Sequence, residues 1–154
     1  MTVVAYPGPA GSHTGAAAAT LHPRAQLQAV AGFRAVAEAV THADAAHGVL
    51  PIESSLVGAV NETHDLLHEG SISIVAEAVL PIRHCLLARD EIALDEIRIV
   101  RSHPSALEQC RRLLDRLPNA VAVPAATTAD AARETTESGD PAAAALAGVE
   151  AAAL

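Results

Sequence analysis

Short apolar runs and amphipathic stretches alternate along the chain. Val3-Val4-Ala5-Tyr6 reads as a strand, and the alanine-rich stretch beyond Ser12 reads as a helix. The pattern continues with a strand at 26–30, a helix at 33–42, a strand at 46–50 and a helix at 55–69. A strand-rich run from Ser71 to Ala88 then leaves this β-α-β-α-β-α unit. The remainder predicts a strand at 97–100, a helix at 104–116, a strand at 119–123, a helix at 128–137, a strand at 142–146 and a helical stub. Strands that alternate with helices imply parallel pairing and right-handed crossovers, hence an α/β fold. The boundary between two small lobes, 1–78 and 79–154, falls near residue 78.

Three junctions carry polar groups where a strand hands over to a helix. In Gly48-Val49-Leu50-Pro51-Ile52-Glu53-Ser54-Ser55-Leu56-Val57-Gly58, Pro51 ends the strand and Ser54 and Ser55 are natural caps. Helical spacing follows at Leu56, Val60, Thr63, Leu66 and Leu67, which places Glu53 at a helix N-terminus. In Arg101-Ser102-His103-Pro104, Pro104 fits a first helical turn and Ser102 fits the cap, with Gln109 one to two turns further on. In Pro7-Gly8-Pro9-Ala10-Gly11-Ser12-His13-Thr14, the glycines let backbone approach a ligand and Ser12 or Thr14 caps the helix. Such junctions face ligand crevices in open α/β folds and attract anions. Each is equally an ordinary strand–turn–helix with a capping hydroxyl.

Composition narrows the chemistry. Of 154 residues, 51% are apolar, with one Phe, one Tyr and no Trp, so the core is aliphatic. The net charge of −8 argues against nucleic acid or an anionic membrane as partner. No apolar run approaches the roughly 18 residues of a membrane span, and no signal-peptide pattern opens the chain, which leads us to expect a cytoplasmic protein. Every basic residue is Arg, so no protein lysine can form a Schiff base. Cys85 and Cys110 read as free core thiols. No His or Cys spacing is a metal signature; His64 and His68, four apart, read as surface histidines. His84 alternates with apolar neighbours and reads as a hydrogen-bonded core histidine. No glycine run fits a nucleotide motif, and we expect no cofactor.

Taken together, the motifs resemble the prephenate dehydratase family. The matching stretches are Tyr6 to Ser12, Gly48 to Gly58 and Ser102 to Cys110. Thr63 to Leu67, Ile74 to Glu77, Ile82 to Leu87, Thr127 to Ala132 and the closing 142–154 also fit, in order. The resemblance implies a bilobal fold like type II periplasmic binding proteins, with a site between the lobes. The substrate it implies is prephenate, converted to phenylpyruvate with loss of water and carbon dioxide. Two departures stand out. Ser54 occupies the position of a family Asn, and the family's Thr-Arg-Phe motif lies beyond the point matched by Leu154. The regulatory domain also lies beyond it. The element that returns the chain to the first lobe falls there too, which leads us to expect a homodimer or reduced stability.

On this resemblance the substrate contacts are Gly11, Ser12, Ser54, Ser55, Ser102, Gln109 and Thr128. Helix N-termini at Ser12, Ser55, Ser102 and Thr128 would converge on the anion, and Gln109 would bond the pyruvyl group or a carboxylate. Glu53 is the nearest candidate acid, provided that the fold buries it. Two other readings share the fold: a prephenate decarboxylase with a non-aromatic product, and a non-catalytic anion-binding module. The chain as given is expected to bind prephenate and to turn it over poorly.

Overall fold

A computed structural model describes residues 1–153 of the chain, so Leu154, the last residue of the expected second lobe, lies outside the described residues. The chain forms two compact α/β units. One comprises Met1–Pro9 and His13–Pro81, the other Ala10–Ser12 and Ile82 onward.

The first unit is built on strand β1 (Val3–Pro7), flanked in parallel by β2 (Gln26–Val30) and the short β3 (His47–Gly48). A strand buried on both faces needs apolar residues at every position, and β1 has them. Val4 and Tyr6 pack with Ala18 of helix α1 (His13–Leu21), while Ala5 packs with Val36 and Ala39 of α2 (Phe33–Thr41). Gly48 makes the approach of α2 possible. A Cβ there would stand 2.5 Å from Val36 Cγ1 and 3.2 Å from Val40 Cγ2.

Beyond β3 the chain departs from the expected helix over 55–69. A small antiparallel hairpin forms instead, β4 (Glu53–Ser54) against β5 (Gly58–Ala59), and α3 starts only at Asn61 and runs to His68. Leu56 and Val57, which looked like the start of a helical stripe, are 74% and 66% exposed at the hairpin tip. Gly58 has φ +86°, outside any right-handed helix. The expected strand at 46–50 shrinks to His47–Gly48. Between Ile72 and Arg83 no strand forms among the described residues, so the strand-rich reading holds only for β6 (His84–Ala88).

The second unit centres on β9 (Ala143–Gly148), every residue of which is buried. Its sheet has the order β6-β9-β7-β8, with β7 at Ile99–Ser102 and β8 at Val121–Pro124. The β7–β8 and β7–β9 pairs are parallel, and edge strand β6 runs antiparallel to β9. The period-2 alternation of β9 feeds two cores. Ala144 and Leu146 pack with Ile97, Val100 and Leu117 on one face. Ala145 and Ala147 pack with Ala131 and Ala132 of α6 (Thr128–Ser138) on the other, where alanine against alanine lets the helix lie close.

The helix expected over 104–116 divides in two. α4 covers Pro104–Gln109 and α5 covers Arg111–Leu114, with Cys110 at the break (φ −96°, ψ 14°). Both cysteines are free and half-buried, and burial pushes the Cys110 thiol up from its ordinary value. No helix among the described residues is long and apolar enough to cross a membrane.

Candidate active site

Glu53 stands on the β4–β5 hairpin of the first unit. The hairpin base is closed by Val60 N–H donating to the Ile52 carbonyl at 2.9 Å. The buried Thr63 hydroxyl of α3 donates to the Pro51 carbonyl at 2.7 Å, anchoring the residue that enters the hairpin. Glu53 itself is exposed, so the burial on which its role as an acid was conditioned is not met. Ser54 caps no helix. Its Oγ accepts long bonds from Leu56 and Val57 N–H, at 3.4 and 3.5 Å, which makes it the pivot of the hairpin turn. Ser55 lies exposed in that turn, and no helix N-terminus exists there to attract an anion. The α3 cap is Val60, which has no side-chain acceptor.

The remaining candidates belong to the second unit. Gly11 adopts φ +77°, a left-handed conformation that a Cβ would strain, and hands the chain to Ser12 immediately before α1. Ser102 ends β7 and is fully buried, its hydroxyl donating to the Leu146 carbonyl at 2.6 Å. It therefore ties β7 to β9. The cap of α4 passes one residue on to His103, whose Nδ1 accepts from Ser105 N–H at 3.3 Å.

Gln109 closes α4 with an exposed side chain whose Oε1 lies 3.1 Å from His84 Nε2 on β6. At α6 the cap is Thr127, one residue before Thr128. Its Oγ1 accepts from Asp130 N–H at 3.0 Å and donates to the Asp130 carboxylate at 2.7 Å. Ala131 N–H donates to the Thr127 carbonyl at 3.0 Å, so Thr127 satisfies two amides of the first turn.

Sequence reasoning missed the contributions of three residues. His84 was read as hydrogen-bonded, but its partner lies 25 residues away, a pairing that no local pattern signals. Asp130 already places a carboxylate at the α6 N-terminus, the role foreseen there for a ligand. Arg101, one residue before Ser102, has a buried Nη1 without an acceptor among the described residues. Also among these residues, no three His, Cys, Asp or Glu side chains gather as a metal site would require.

A profile described as prephenate dehydratase matches residues 4–154. The chain belongs to the prephenate dehydratase family. A curated relative, the Arabidopsis thaliana chloroplastic arogenate dehydratase/prephenate dehydratase 2, is 39% identical over 114 residues, 74% of this chain and 30% of the relative. A crystal structure of prephenate dehydratase from Arthrobacter aurescens in complex with L-Phe covers 99% of the chain at TM-score 0.90 and 32% identity, using 52% of that structure. A solved structure described as GqqA, a novel type of quorum-quenching acylase, covers 98% at TM-score 0.89 and 30% identity, using 55% of its own length. The chain thus spans about 30% of that curated relative and about half of these solved structures. The α/β fold expected from the strand–helix alternation is that of prephenate dehydratase catalytic domains.

Proposed function

We propose that this chain carries out the substrate-binding and bond-cleaving work of a prephenate dehydratase, converting prephenate to phenylpyruvate, carbon dioxide and water. The observation that carries the reading is the family match across residues 4–154, which takes in both the hairpin bearing Glu53 and the turn bearing Gln109. In this reaction the ring carboxylate leaves as carbon dioxide. Its C–C electron pair enters the ring, the ring C–O bond breaks, and the departing hydroxyl takes one proton to become water. Aromatisation drives the step, so the protein's work is to hold the anion, align the two breaking bonds and deliver the proton.

Gln109 is assigned to the pyruvyl side chain. One feature of the second unit supports an anionic, acceptor-rich ligand: the Arg101 Nη1 donor, which has no acceptor among the described residues. Relatives carry both prephenate and arogenate in their names. We assign prephenate because the Gln109 oxygen is engaged by His84, which leaves the amide N–H donors for a keto oxygen. The ammonium that arogenate carries at that position accepts no hydrogen bond.

Incubation with prephenate and, separately, with arogenate tests the reading. The expected result is carbon dioxide and an aromatic keto acid in equal amounts from prephenate, with arogenate consumed more slowly. Carbon dioxide without an aromatic product identifies a decarboxylase. Binding without turnover identifies a binding module, and faster consumption of arogenate overturns the substrate assignment.

A further inference from the structure

We propose that His84 is the positioning residue for Gln109, holding the amide oxygen so that the two amide N–H groups are presented to the ligand. The proposal rests on the reading of Gln109 as a substrate contact. A glutamine amide can point either way, and its two orientations offer opposite chemistry, a pair of donors or an acceptor. In this fold Oε1 lies 3.1 Å from His84 Nε2. The oxygen has no proton to give, so the ring nitrogen must carry it. The neutral Nε2–H tautomer and the imidazolium both do so, and either fixes the same orientation.

The rest of the fold makes His84 suited to this task. It opens β6, paired in register with Gly148 of the fully buried β9, and its ring is half-buried. Gln109, by contrast, is an exposed side chain on the last residue of a six-residue helix, where nothing local restricts its rotamers. Among the described residues no acceptor takes the Gln109 N–H groups. The contact therefore joins an adaptable side chain to a fixed one and leaves the donors open. The polarity selects a ligand group that accepts hydrogen bonds, a carboxylate or a keto oxygen, and rejects a donor.

Three single variants and one double variant of the full chain test this by calorimetric titration with prephenate. His84→Gln can place an N–H where the imidazole Nε2–H stands, and is expected to bind within about twofold of the unaltered protein. His84→Leu cannot, and is expected to weaken binding roughly three- to tenfold, the cost of ordering one long side chain at the moment of binding. Gln109→Leu should weaken binding at least as much, and His84→Leu with Gln109→Leu together should be no weaker than Gln109→Leu alone. A merely structural histidine would show neither the rescue nor the non-additivity.

Unchanged binding in His84→Leu, with a loss in Gln109→Leu, overturns the positioning role and leaves the reading of Gln109 standing. Unchanged binding in Gln109→Leu overturns that reading. Failure of prephenate to bind the unaltered protein overturns the reading on which the proposal rests, and should His84→Leu fail to fold, the ¹⁵N shifts of the His84 ring decide the matter. A protonated Nε2 supports the proposal. A neutral ring protonated only at Nδ1 reverses the amide and overturns it.

Discussion

Strand β9 and the stretch from Ile72 to Arg83 reverse the usual link between hydrophobicity and burial. β9 reads Ala-Ala-Ala-Leu-Ala-Gly, and all six residues are buried. The other stretch carries three Ile, two Val and a Leu, yet Ile74, Val75, Ile82 and Val79 are exposed, Val79 by 95%. What separates them is the neighbours. β9 has a ladder on each side, from β6 and β7, and a core on each face. The apolar stretch has no ladder among the described residues. Burial follows from what a segment can pair with, and weakly hydrophobic residues suffice where the pairing is complete.

The largest test of this contrast is Leu146→Ala. Leu146 is fully buried at the centre of β9, and its truncation should cost about 2–5 kcal/mol, read from the denaturant midpoint. A loss below ~1 kcal/mol would mean that β9 is not the keystone of its unit. Gly48→Ala asks the same of the first unit, where β3 contributes only two residues. The added methyl meets the stiff Val36 side chain, so a loss of about 1–3 kcal/mol is expected, with little effect on ligand affinity.

A smaller effect belongs to the surface clasp between α2 and the end of α3. Arg34 donates to both Glu69 carboxylate oxygens, at 2.7 and 3.2 Å, and this bond holds the Glu69 carboxyl below its ordinary range. A carboxyl lowered in the folded state contributes stability above its unfolded pKa and loses it as pH falls through the folded one. The stability gap between the unaltered protein and Glu69→Gln should therefore be slight at neutral pH, vanish in acid and shrink with salt. A gap that widened in acid would contradict the pairing. Smallest of all, Val79→Ser should change stability by less than ~0.5 kcal/mol despite removing a β-branched apolar residue.

The same contrast explains what could be read from the chain in advance. The strand at 26–30 and the helix starts at Phe33, Pro104 and Thr128 were legible because local pattern and tertiary neighbours agree there. The helix over 55–69 was misplaced because Leu56 and Val57 imitate a helical stripe, while the backbone needs the positive φ of Gly58 to close a hairpin. Ser102 was legible only as a polar residue at a strand-to-helix junction, where it reads as the helix cap. Its bond to the Leu146 carbonyl, 44 residues away, was not. The pairing of His84 with Gln109 was hidden for the same reason, since long-range contacts leave no periodic trace.

Hydrogen exchange with and without prephenate tests most directly the claim that the Gln109 turn receives the ligand while β9 serves as its rigid support. The amides of 143–148 should be the slowest of the second unit in both states, and those of 103–110 should slow when prephenate is added. Prephenate binding that leaves 103–110 unchanged, or that alters β9 instead, would contradict the account.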